Sequence, residues 1–131
     1  MERCSDDEVA QWHVYESVRE RCKLSWPEFK RDSTDFRIIP VKIGERIVGG
    51  VMVRGNELHI GCTERPRGAS FRKYLDILQD VVSEFGCAVT VLSPDCKATA
   101  QVKRLGFVQV GEYEGWAIMK CERVAPEFSH A

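Results

Sequence analysis

Glu57-Leu58-His59-Ile60-Gly61-Cys62-Thr63, followed by Glu64-Arg65-Pro66-Arg67-Gly68-Ala69 and a helix from about Ser70, is the stretch whose reading decides the fold. It combines an apolar strand, a tight basic loop and an amphipathic helix. Phe71, Tyr74, Leu75, Leu78, Val82 and Phe85 recur at i, i+3, i+4, i+7, i+11 and i+14, which places them on one helical stripe. Arg72, Lys73, Asp76, Gln79 and Glu84 fall mostly away from it. Gly86 supplies a left-handed stop. Ala88-Val89-Thr90-Val91-Leu92 has no helical stripe and is short enough for a buried strand. Strand, helix and strand in this order predict a right-handed crossover between parallel strands. A helix entered from a glycine-containing loop presents unpaired N–H groups and the positive end of its dipole, so phosphate is the natural ligand there.

Arg65-Pro66-Arg67-Gly68-Ala69-Ser70 resembles the acyl-CoA signature of the GCN5-related N-acetyltransferase (GNAT) superfamily: Gln or Arg, two residues, Gly, one residue, then Gly or Ala. The last position is Ser here, still small. Members usually carry a second motif after the next strand: Asn, two residues, Ala, three residues, Tyr, two residues and Leu-Gly-Phe. Asp95, Ala98, Val102 and Leu105-Gly106-Phe107 occupy those positions in register. Asp95 thus replaces the Asn, and Val102 replaces the Tyr that in many members protonates the departing thiolate. The resemblance covers residues 38–121.

The resemblance implies a single GNAT-like α/β domain over residues 1–131, with N-terminal helices, a central mixed sheet, a crossover helix and a C-terminal β-hairpin. It implies acetyl-CoA as co-substrate, held by Ile60, Gly61, Cys62, Arg65, Arg67, Gly68, Ala69, Ser70 and Asp95, and an unidentified amine as acceptor. Glu57 and His59 share one face of their strand. In the family a carboxylate or water chain starting there often deprotonates the amine, and histidine is the residue type suited to proton transfer near neutrality. With Val102 unable to donate a proton, Tyr113 is the substitute acid. The alternative is a catalytically inactive module. The short N-terminus, the missing Tyr and the replaced Asn are also similar to small acetyltransferase-like proteins of tailed phages, some of them virion components, and fold alone does not separate the two.

At 131 residues and 44% hydrophobic content the chain is large enough to bury one core without staples. Lys plus Arg number 19 and Asp plus Glu 20, so no global field points to nucleic acid or a membrane surface. There is no signal-peptide pattern and no membrane-length apolar run, which points to a cytoplasmic protein. Monomer, homodimer and virion assembly all stay open. The six cysteines, Cys4, Cys22, Cys62, Cys87, Cys96 and Cys121, lack metal-ligand spacing and read as reduced thiols, Cys62 and Cys96 as small buried hydrophobes by default. No metal is expected.

Ser5 with Glu8 begins a first helix of about four turns to Cys22, with Val9, Trp12 and Val18 as its apolar side. Ser25-Trp26-Pro27-Glu28 begins a second. Residues 36–43 and 46–54 form a hairpin, Gly55-Asn56 leads into the Glu57 strand, and Gly49-Gly50 marks a bulge or a close backbone approach. After a helix over 95–105, residues 107–113 and 116–121 form the final hairpin, whose edge is open to another chain. The tail from Arg123 is expected to be loose. Acceptor choice belongs to loops around residues 24–35 and 111–115.

Overall fold

A computed structural model of the chain describes residues 5–92 and 97–125. The order is α1 (Asp6–Cys22), α2 (Trp26–Asp32), β1 (Arg37–Ile43), β2 (Arg46–Arg54), β3 (Glu57–Cys62), α3 (Ala69–Phe85), β4 (Ala88–Leu92), α4 (Lys97–Leu105), β5 (Val108–Tyr113) and β6 (Trp116–Cys121). The six strands form one mixed sheet in the order β1-β2-β3-β4-β6-β5. Asp95, Cys96 and the N-terminal stub of residues 1–4 lie outside the described residues. The chain divides into two compact units, whose described parts are residues 5–54 with 58–74 and residues 55–57 with 75–125.

In the first unit, Ser5 caps α1 by accepting from the Glu8 N–H at 3.1 Å, and three acidic residues occupy the first turn. The buried face of α1 is Ala10, Val14 and Tyr15 rather than Val9, Trp12 and Val18. Trp12 is turned aside because it belongs to an aromatic group with Tyr15 and Trp26, its ring 5.0 Å from that of Trp26. α2 opens with a complete capping box between Ser25 and Glu28.

β1 and β2 are antiparallel, and their register shifts between Val41 and Lys42, leaving Val48 without an opposite residue. The bulge therefore lies beside the paired glycines, and each glycine answers to a different helix. A side chain at Gly49 would collide with the Tyr74 hydroxyl and come within 2.5 Å of the Gly61 carbonyl, while one at Gly50 would come within 2.6 Å of the Ala10 carbonyl. Because successive residues point to opposite faces, α1 and the start of α3 pack on opposite sides of β2.

In the second unit, β3 and β4 pair in parallel with Glu57 opposite Val89, and the Val89 N–H donates to the Asn56 carbonyl at 2.8 Å. β4, β6 and β5 continue antiparallel. Ala88, Thr90, Leu92, Ala117, Met119 and Cys121 are buried, with α3 adding Leu75, Ile77, Leu78 and Val81, and α4 adding Val102 and Leu105. Phe85, expected on the α3 stripe, is 48% exposed because the helix ends there at Gly86. The start of the tail is not loose. Val124 is buried and the Ala125 N–H donates to the Leu105 carbonyl at 2.8 Å, passing over Gly106, where a side chain would come within 2.6 Å of the Arg123 carbonyl.

Candidate anion site at the entrance to the crossover helix

The loop between β3 and α3 is anchored at both ends. Thr63 donates its N–H (2.8 Å) and its hydroxyl (3.1 Å) to the same Val48 carbonyl, next to the β2 bulge. Arg46 pairs with Glu64, and that hydrogen bond holds the Glu64 carboxyl below the usual carboxylate range. At the far end the Ser70 hydroxyl accepts from the Arg67 N–H at 3.1 Å and donates to the Arg67 carbonyl at 2.9 Å. Ser70 is buried, which explains why only a small residue fits there, and its hydroxyl ties the loop to the first helical turn.

Gly68 begins α3: its carbonyl accepts from the Arg72 N–H at 3.0 Å, its φ is +57°, and nothing lies within 4 Å of where a side chain would start. The N–H groups of Ala69 and Ser70 precede the first helical hydrogen bond and face that end of the helix. Arg65, Arg67 and Lys73 are exposed and make no salt bridge to another described residue, whereas Glu64 is already neutralised by Arg46. Open space, two spare donors, the positive helix end and three cations together suit a phosphate or pyrophosphate. The Pro66 nitrogen adds no donor.

β3 is bound to this entrance by Tyr74, whose buried hydroxyl donates to the Gly61 carbonyl at 3.2 Å in the space left by Gly49. Burial, with a smaller effect from Cys62, raises the phenol pKa well above its ordinary value, so Tyr74 stays a neutral donor. Gly61 is itself a close-approach point, since a side chain there would come within 2.5 Å of both the His13 carbonyl and the Val14 Cα of α1. Cys62 is exposed rather than buried, yet the surrounding protein still pushes its thiol up, which disfavours a reactive thiolate.

Glu57, His59 and Ile60 are half-buried on β3. The His59 ring meets the Phe36 ring edge-on at 5.6 Å, and the Arg54 guanidinium, held by Asp35 at 2.8 Å, lies over the Phe36 ring 4.3 Å from its centroid. Thus Gly61, Cys62, Arg65, Arg67, Gly68, Ala69 and Ser70 gather around one strand end and one helix start, with His59 and Ile60 upstream on the same strand. Tyr113 belongs to the second unit, 66% exposed on β5 opposite Trp116, and is not a core aromatic.

Two residues of the site were missed in the sequence. Tyr74 reads there only as part of a core stripe, although Gly49 was the trace of its partner. His13 has its Nε2 3.3 Å from the Ile47 carbonyl and a buried Nδ1 without a hydrogen-bond partner. No periodic signal marks it, because α1 carries no clear apolar stripe.

Among the described residues no group of His, Cys, Asp and Glu is arranged to hold a metal ion, and no helix is long and apolar enough to cross a membrane. No family model and no curated protein matches the sequence. Solved structures do match. PH1933 from Pyrococcus horikoshii OT3 is similar at 12% identity and a TM-score of 0.64, over 95% of this chain and 96% of that one. A ribosomal-protein-alanine N-acetyltransferase from Brucella melitensis is similar at 13% identity and a TM-score of 0.54, over 95% and 98%. The fold is that of the GNAT acyltransferases, a six-stranded mixed sheet with helices.

Proposed function

We propose that the chain is an N-acetyltransferase, a single GNAT-like domain over residues 1–131 working in the cytoplasm, that moves the acetyl group of acetyl-CoA to an amine. The observation that supports this most directly is the entrance to α3, where Gly68 leaves open space before two spare N–H groups and the exposed cations Arg65 and Arg67. In this reading those groups, with Ala69 and Ser70, hold the pyrophosphate, and the backbone of Ile60, Gly61 and Cys62 lies along the acyl arm. His59, directly or through water from Glu57, takes the proton from the amine. The amine nitrogen attacks the thioester carbon, the C–S bond breaks, and the thiolate takes a proton from solvent.

The test is a thermal shift with acetyl-CoA, in which ligand at ~100 times its dissociation constant stabilises the fold by about 2.7 kcal/mol, followed by thiol release with a panel of amines. His59→Ala is expected to lower turnover by ~10²-fold with little change in acetyl-CoA affinity. Absence of both binding and thiol release overturns the reading.

One observation favours a second reading, an inactive GNAT-fold module. Val102, at the position where the resembled family carries its phenol, is buried among the apolar residues of α4. That module would bind acetyl-CoA without releasing thiol, or not bind it at all.

A further inference from the structure

We propose that β5 is a self-association surface through which two copies of this chain join edge to edge, their β5 strands antiparallel about a two-fold axis. Among the described residues β5 ends the sheet, so one side of its backbone is a row of N–H and C=O groups that no described strand pairs. It also carries three of the largest exposed hydrophobic residues, Val108 (61%), Val110 (56%) and Tyr113. The opposite edge strand, β1, is blunted by Pro40 and by the charges of Arg37 and Lys42. β5 has a single charge, Glu112.

The β5 bulge selects the partner. Val108 lies opposite Lys120 and Tyr113 opposite Trp116, whereas Gln109 lies opposite Met119 and Glu112 opposite Ala117; Val110 is skipped. Met119 and Ala117 are buried, while Lys120 and Trp116 are half-exposed, so Gln109 and Glu112 share one face and Val108 and Tyr113 share the other. In an unbroken strand Val108 and Tyr113, five positions apart, would point to opposite faces. With Val110 skipped, a two-fold axis at Gly111 sets Val108 against Tyr113 of the second copy and Gln109 against Glu112 of the second copy. Both pairs are favourable, apolar on aromatic and amide on carboxylate, and no like charges oppose each other. The strand thus complements itself, which is what an isologous interface requires. The Gln109 amide, which now donates to the Gly111 carbonyl at 3.3 Å on an exposed strand, is free to exchange that bond for the carboxylate.

A six-residue ribbon is a small interface, so association is expected in the micromolar range or weaker. Sedimentation velocity from low micromolar to near-millimolar protein reads it directly. The wild-type chain is expected to dimerise, and Val108→Lys combined with Val110→Lys to remain monomeric with an unchanged circular dichroism melt, since both side chains are exposed. Gln109→Glu sets two carboxylates opposite each other and should weaken the dimer by roughly fivefold to tenfold, and adding Glu112→Lys should restore it. A wild-type chain that stays monomeric overturns the proposal. So does a dimer that persists in the double-lysine variant, or a charge swap that fails to restore association. None of these outcomes depends on acetyl-CoA or on catalysis.

Discussion

Substitution of Gly68 separates the anion site from the fold that carries it. The residue holds φ +57°, a conformation that costs an ordinary L-residue about 1–2 kcal/mol. No neighbour lies within 4 Å of the added carbon, so there is no clash to add. Alanine also loses less chain entropy on folding than glycine, by about 0.4–1 kcal/mol. Gly68→Ala should therefore lose about 1 kcal/mol and lower the melting temperature by roughly 2–4 °C. Asn tolerates the left-handed region better, so Gly68→Asn should lose less. Gly68→Asp has nearly the same shape, and a carboxylate at a helix entrance favours the helix. Its folded state should be at least as stable as that of Gly68→Asn. Its ligand is another matter. A negative charge about 4 Å from a bound phosphate costs about 1 kcal/mol in water and more where the protein excludes it, which is about fivefold or more in dissociation constant. Calorimetric titration with coenzyme A at low and high salt measures this, and the Asn-to-Asp difference should shrink as salt rises. Equal affinities of the folded Asn and Asp variants would refute the placement of a phosphate before Gly68.

Two further substitutions test the supports of the site. Gly61→Ala forces a methyl group to within 2.5 Å of the α1 backbone at His13 and Val14, and should destabilise the fold by about 1–3 kcal/mol in urea unfolding; a change within about 0.5 kcal/mol would show that α1 moves away freely. Tyr74→Phe leaves the Gly61 carbonyl without its buried donor and should cost about 1–2 kcal/mol at neutral pH. The pH dependence gives a second readout of the same change. The folded pKa of Tyr74 lies above the unfolded value of about 10, so its contribution is fully present below that pH and is lost as pH rises towards the folded value. Wild-type stability should fall above about pH 10, and Tyr74→Phe should fall less over the same window; parallel losses would show that other groups govern alkaline unfolding.

What the sequence showed and what it hid have a common physical cause. α3 was legible because its apolar stripe is dictated by helical period, and the loop before it because a Gly and Arg run leading into a helix start is local in the chain. The paired glycines of β2 showed that something approaches closely, but only the folded chain shows that Tyr74 approaches from one face and Ala10 from the other. α1 concealed its buried face because its indole packs against Trp26, which leaves Ala10, Val14 and Tyr15 to meet the sheet. Strand alternation failed at β5, where the skipped Val110 resets the faces and leaves Tyr113 in solvent.

The same distinction orders the candidate site. The half proposed to hold an anion is one turn of chain and could be read as a word in the sequence. The half proposed to react depends on where β3 is held, and that position is fixed from two sides: by Tyr74, donating to the Gly61 carbonyl, and by α1, resting against Gly61 with no room for a side chain. Gly49 is missing a side chain so that Tyr74 can reach, and Gly61 is missing one so that His13 and Val14 can approach. A substitution at either glycine should therefore disturb His59 and the phosphate loop together, although neither glycine needs to touch a ligand. Residues that position a site by leaving space have no chemical signature of their own, which is why they emerge only once the chain is folded.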